Sequence, residues 1–292
     1  MIACIDVGSN SIKYRSYALL PQKNELKLNY YKRFPLRLGT EAFQKKEIQP
    51  KTIKKILKVF KEISDHALEE KIEEIYAVGT SALRTVNNSS WIKKKIKKKT
   101  GIKLKILSGK EEAELLRYVD CKNYKKSNSL LVDIGGGSTE IFYIDEKGKE
   151  HMESFNLGAV RLYDKRDKKA SWLKLQNWLA NVPNKNIKNI IGIGSNARSI
   201  VKINNKEYLS RKELCKTYMT LSSMSTGEKI NSFSLSDDRA DIIEYAALIF
   251  MEILKRFDSA NLYSSTWNLS DGMIKQCLDF KNFNQKIFQS AH

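Results

Sequence analysis

The sequence predicts an α/β protein built from two similar halves with a cleft between them. Strand-like and helix-like segments alternate along the whole chain. A strand–turn–strand unit at the N-terminus, ACIDVGSNSI (3–12), returns 127 residues later as LLVDIGGGST (130–139). In both copies an apolar run ends in Asp, and the spacing Asp-x-Gly-x-x-Ser is kept: Asp6, Gly8 and Ser11, then Asp133, Gly135 and Ser138. Each turn leads back into a strand-like segment, at 13–19 and at 140–144.

The elements follow in order. Segments 2–7 and 13–19 pair as strands. Ile53, Ile56, Leu57, Phe60, Ile63 and Ala67 have helical spacing over 50–68. The apolar run 75–78 ends in GTSALR, a strand entering a helix N-terminus. A helix is expected over 91–99, a strand over 102–106 and a helix over 110–119. Two strands follow the second turn, to about 155, then helices from 157 and from 171. A strand at 189–193 precedes a helix at 195–201. One long helix is expected over 236–257, capped by Ser236; its IIEYAALIFMEIL is nearly apolar all round and so buried. A last strand at 262–264 and a terminal helix from 273 complete the chain. The least apolar break, DCKNYKKSNS (120–129), marks the expected boundary. It divides the chain into domains 1–122 and 123–292, the terminal helix packing back on the first.

With 292 residues and 41% apolar content, the chain can bury a large core. Its 52 basic and 33 acidic residues give a net charge of +19, which attracts polyanions. Cys4, Cys121, Cys215 and Cys277 form no C-x-x-C pair, consistent with a reducing compartment. His66, His151 and His292 have no metal-ligand spacing, which argues against zinc. The start has no leader pattern and no apolar stretch reaches about 18 residues. A cytoplasmic protein with no membrane partner is the expectation.

Five segments carry chemistry. In Asp133-Ile-Gly-Gly-Gly-Ser-Thr-Glu140, Gly135, Gly136 and Gly137 let backbone N–H groups approach an anion, and Ser138 adds a hydroxyl. A carboxylate at the end of a buried strand, Asp133, calls for a cation or donors. In the first copy Ser9 and Asn10 stand for two of the glycines. Thr80 and Ser81 open a helix with Arg84 one turn in, an anion site with a guanidinium that could fork two phosphate oxygens. Ser108-Gly-Lys-Glu-Glu-Ala-Glu114 opens another helix with three acids, of which one could be a general base on water. Gly194 and Ser195, in GIGSNA, form a third anion turn. The Lys-rich run 93–105 reads as a solvated helix face anchored by Trp91, Ile92 and Ile96, with a polyanion track as the alternative; it shows no specific nucleic-acid motif.

Taken in order, these motifs resemble the exopolyphosphatase/guanosine-pentaphosphate phosphohydrolase (Ppx/GppA) family in its short two-domain form. The likeness runs through IDVGSNS, RLG (37–39), GTSALRTVNN, ILSGKEEA, DIGGGSTE, LGAVRL (157–162), GIGSNAR and RADII (239–243). It implies two ribonuclease-H-like domains of the actin–sugar kinase–Hsp70 superfold, with a catalytic cleft between them. It also implies Glu112 as the base, with Glu111 its adjacent rival, and Asp133 and Glu140 as catalytic carboxylates. Asp6, Asp133 and Glu140 match metal-facing positions, for Mg²⁺ or Mn²⁺ with K⁺ as a further cation. Gly8, Ser9, Asn10, Ser11, Thr80, Ser81, Arg84, Gly135, Gly136, Gly137, Ser138, Gly194 and Ser195 are the phosphate-facing set. The family's usual Gly-Gly-Thr turn reads Gly192-Ile193-Gly194-Ser195 here. The implied partners are inorganic polyphosphate or guanosine pentaphosphate of the stringent response, with room for a homodimer. A kinase of the same superfold and a non-catalytic polyanion binder are the rival classes.

Overall fold

The structure is a computed structural model, and it describes residues 1–289 apart from 21–24, 120–127, 184–186 and 258. The boundary expected at 120–129 falls almost wholly outside the described residues, as do Cys121 and His292. The first sheet comprises β1 (Ile2–Val7), β2 (Ile12–Leu20), β3 (Glu25–Phe34), β4 (Glu74–Gly79) and β5 (Leu104–Ile106), in the order β3-β2-β1-β4-β5. The second comprises β6 (Ser129–Ile134), β7 (Thr139–Ile144), β8 (Glu150–Phe155), β9 (Asn189–Ile193), β10 (Tyr208–Leu209) and β11 (Asn261–Ser264), in the order β10-β11-β9-β6-β7-β8. The run β8-β7-β6-β9-β11 repeats the order of the first sheet. β1 is antiparallel to β2 and parallel to β4, and β6 is likewise antiparallel to β7 and parallel to β9. Two ribonuclease-H-like units are therefore present.

The first half carries α1 (Gly39–Lys45), α2 (Pro50–Glu69), α3 (Ser81–Thr85), α4 (Ser89–Thr100) and α5 (Gly109–Leu115). The second carries α6 (Ala159–Tyr163), α7 (Lys169–Ala180), α8 (Gly194–Ile203), α9 (Arg211–Ser223), α10 (Thr226–Phe233), α11 (Asp237–Ala240), α12 (Ile243–Leu254) and α13 (Leu269–Gln289). α2 starts with Pro50 in its first turn and buries Ile53, Ile56, Phe60, Ile63 and Ala67. Ile53, Ile56, Phe60 and Ile63 join Ala3, Ile5 and Val7 of β1 in the main core. On the other face of β1, Cys4 packs with Val78, Leu107, Leu115, Met273 and Ile274, so α13 returns to the first sheet. The Cys4 thiol donates to the Met273 sulfur at 3.6 Å. Burial on both faces is why β1 reads as an unbroken apolar run. Among the described residues no helix is long and apolar enough to cross a membrane.

The structure departs from the sequence reading in several places, among them α1 and β10, which have no counterpart in it. The long helix expected over 236–257 is broken into α11 and α12. The Asp238 carbonyl accepts from Arg37 Nη2 and Asn10 Nδ2, both at 2.8 Å, and the Ile242 amide turns to Arg239 O at 3.1 Å. A cation from the first half thus replaces a helix hydrogen bond. Strand β3 was not expected; its ELKLNYYKRF is an edge strand, polar enough to hide its alternation. Nor were α9 and α10 expected, although each opens with a capping box, Ser210 with Glu213 and Ser225 with Glu228.

The halves meet tightly at the second turn. A Cβ on Gly137 would lie 2.5 Å from both Phe43 Cζ and Ser81 Oγ. Gly137→Ala should therefore cost about 1–3 kcal/mol by overpacking and lower the melting temperature by about 3–10 °C. Gly227→Ala, at a position with open space around it, is the control and should not lower it. Thermal unfolding of the two variants decides the point.

Candidate active site

The two Asp-Gly-Ser turns close in the same way: Gly8 N–H donates to Ser11 O at 3.1 Å, and Gly135 N–H to Ser138 O at 2.9 Å. They abut, since a Cβ on Gly136 would stand 3.0 Å from Ser9 Cβ. None of Gly135, Gly136 and Gly137 adopts a positive φ. Their lack of side chains serves close approach between the halves as well as to any anion. Gly194 does take φ 80°, and a side chain there would meet Asp133 Oδ1 at 3.0 Å.

The turns differ in charge. Asp6 faces Lys13 across the β1–β2 ladder, and Lys13 Nζ donates to Asp6 at 2.9 Å. Asp133 faces Glu140 across the β6–β7 ladder. The position seven residues after Asp thus holds a cation in one copy and a second carboxylate in the other.

Glu112 enters from α5, which lies against β7 and β8. Ser108 caps α5, and Glu111 closes the box by accepting from the Ser108 amide at 2.8 Å. Lys105 and these capping donors hold Glu111 down at about 2. One residue further round the helix, Glu112 points inward and is buried. Glu112, not Glu111, reaches the cleft.

One cleft is lined by Asp6, Gly8, Ser9, Asn10, Ser11, Thr80, Ser81, Glu112, Asp133, Gly135, Gly136, Gly137, Ser138, Glu140, Gly194 and Ser195. Arg84 is the sequence-derived residue that does not line it. Its guanidinium pairs with Glu112 and donates to Leu107 O at 2.7 Å, so it steadies a carboxylate where a phosphate fork was expected. Asn10 lines the cleft but is also spent on contacts between the halves. Its Nδ2 reaches Asp238 Oδ2 at 2.9 Å and its Oδ1 accepts from Arg37 Nε at 2.8 Å.

Four carboxylates share this space, and burial governs the protonation of Glu112, Asp133 and Glu140. Burial pushes Glu112 up to about 7; Arg84 opposes the shift, while Asp6 and Asp133 add to it. Asp133, deep in the structure with part of its surface open to the cleft, rises to about 6; burial dominates, Lys13 and Arg198 oppose, and Asp6 adds. Glu140 is raised well above the carboxylate range by burial and then by Glu112 and Asp133. The Ser154 and Ser138 hydroxyls relieve it in part, Ser154 Oγ donating to Glu140 Oε1 at 2.8 Å.

Lys13, Arg33, Asn196, Arg239 and Asn268 also line the cleft and were not identified from sequence. Lys13 had a signal, its place in the repeat. Arg239 lay inside the RADII motif without a role. Burial lowers Arg239 to about 10, and its Nη1 donates to Asn196 Oδ1 at 3.1 Å. Arg33 and Arg37 clasp the second half: Arg33 pairs with Asp238, and Arg37 holds Asp241 with both Nη atoms, at 2.6 and 2.7 Å.

The sequence profile of the Ppx/GppA phosphatase family matches residues 24–280. The chain is 34% identical over 178 residues to the bifunctional 3-dehydroquinate synthase/phosphatase of Fusobacterium nucleatum, a match spanning 56% of this chain and 26% of that protein. It is 23% identical to exopolyphosphatase 1 of Mycobacterium tuberculosis over 99% of this chain and 92% of that protein. The crystal structure of the Aquifex aeolicus Ppx/GppA family member superimposes with a TM-score of 0.76 at 24% identity, covering 96% of this chain and 98% of that one.

The raised pKa of Glu112 has a defined sign for stability. The folded state holds this proton more tightly than the unfolded one, so the carboxyl's contribution is full below about pH 4.5 and is lost as pH rises through about 7. Without divalent cations, wild-type melting temperature should fall between about pH 5 and pH 8 by several degrees more than that of Glu112→Gln. Parallel slopes for the two proteins would contradict this.

Proposed function

The chain belongs to the Ppx/GppA phosphatase family, and from that premise we propose that it hydrolyses the terminal phosphoanhydride of inorganic polyphosphate. One observation carries the reading: a buried carboxylate at the edge of ionisation, Glu112, shares a cleft with Asp6, Asp133, Glu140 and two glycine–serine turns. Phosphoryl transfer asks of the protein little beyond positioning, charge stabilisation and a base for the attacking water. Guanosine pentaphosphate is the second substrate, because its triphosphate end suits the same turns. Among the described residues, however, no Phe, Tyr or Trp lines the cleft to stack a guanine, and the net charge of +19 favours a linear polyanion.

In this reading, the hydroxyls of Ser9, Ser11, Thr80, Ser81, Ser138 and Ser195 and the free amides of the turns grip the terminal phosphates. Arg239 and Lys13 add positive charge at the cleft wall. Glu112, which ionises as pH rises through about 7, takes the proton of the attacking water. Arg84 holds the Glu112 carboxylate in place. The buried, mutually repelling Asp133 and Glu140, together with Asp6, suit a divalent cation, Mg²⁺ or Mn²⁺. When bound, it supplies charge neutralisation at the phosphoryl oxygens. Among the described residues no three His, Cys, Asp or Glu side chains gather closely enough to hold an ion unaided. Asp6, Asp133 and Glu140 would hold it only with oxygens of substrate and water as further ligands.

The experiment is phosphate release by purified protein with Mg²⁺, from polyphosphate and from guanosine pentaphosphate in parallel. Release from polyphosphate is expected, with Glu112→Gln lowering kcat by about 10²–10⁴-fold. Release from neither substrate sinks the reading, faster release from guanosine pentaphosphate reverses the choice of substrate, and full activity of Glu112→Gln removes the base.

A further inference from the structure

Ser154 belongs to none of the motifs read from the sequence, yet it stands between Glu140 and the start of α5, the helix that carries Glu112. In the β7–β8 ladder it lies directly opposite Glu140, so both side chains leave the same face of the sheet. Its hydroxyl donates to Glu140 Oε1 at 2.8 Å. The other side of the same hydroxyl meets the start of α5. A Cβ on Gly109 would lie 2.7 Å from Ser154 Oγ and 2.8 Å from Ser154 Cβ, so the contact needs glycine there. Gly109 is three residues, nearly one turn, ahead of Glu112 on that helix. The strand segment itself is tethered, Lys174 Nζ donating to Glu153 Oε1 at 2.9 Å and to Ser154 O at 3.4 Å.

We propose that Ser154 is a positioning residue for the hydrolysis: its single proton helps fix which oxygen of Glu140 faces the cleft, and its bulk sets the distance between α5 and β8. A carboxylate holding one oxygen against a fixed donor loses rotation about its last torsion, and the other oxygen keeps one direction toward the water and phosphate. A bulkier side chain in place of Ser154 would push α5 away; alanine would leave Glu140 on the Ser138 hydroxyl alone.

The inference rests on the phosphohydrolase reading, and the two fail separately. Wild-type turnover tests that reading, while ratios among the variants test Ser154. Ser154→Ala should lower kcat about tenfold with KM within about twofold, and the melting temperature should stay close to wild type. Ser154→Cys keeps the shape but is a weak donor, and it should lose kcat like alanine. Ser154→Thr keeps the hydroxyl but adds a methyl group beside Gly109, so it should recover part of the turnover that alanine loses. Wild-type kcat in the alanine and cysteine variants overturns the proposal. So does a loss that appears in KM with kcat unchanged, or a loss that tracks melting temperature across the three variants, whichever of them folds.

Discussion

Four carboxylates brought into one seam are the constraint on which the rest of the molecule depends. Asp6, Glu112, Asp133 and Glu140 come from three separate chain segments, and at least three are held where burial resists their ionisation. A structure that gathers such charge must offset it or neutralise it. The compensations can be named. Lys13 lies on Asp6, Arg84 on Glu112, and the hydroxyls of Ser154 and Ser138 on Glu140. The remaining deficit of positive charge is what a phosphohydrolase with a divalent cation would use.

Holding that charge at the junction of two halves demands close contact between them. The glycines of the second turn allow Ser9, Ser81 and Phe43 to approach, and the fit leaves no room for a methyl group at Gly137. At the other side of the cleft Arg33 and Arg37 reach Asp238 and Asp241, and that clasp breaks a helix that local propensity would have continued. A helix hydrogen bond in the second half is traded for a bidentate ion pair across the seam. The same clasp takes up Asn10, which the turn geometry suggested for phosphate.

Much of the site could be read from the sequence because it sits in short, self-contained turns. Gly8 to Ser11 and Gly135 to Ser138 are each closed by a local hydrogen bond, so spacing carries their geometry. The motif pointed to Glu112 but kept Glu111 as its adjacent rival. The capping box separates them, because it commits Glu111 to the Ser108 amide and leaves Glu112 to turn inward. β3 escaped notice because an edge strand needs no strong hydrophobic alternation, and with it went Arg33.

The amino-acid sequence by itself determined the duplicated α/β architecture, the two anion turns and the acidic helix start, because each depends on residues within a few positions of one another. Only the tertiary structure decided that Arg84 serves Glu112 and that α11 and α12 are separate. These depend on contacts between residues far apart in the chain, such as Arg37 with Asp241 or Asn10 with Asp238. No local pattern encodes them: two polar side chains find each other only after both sheets have formed and the seam has closed.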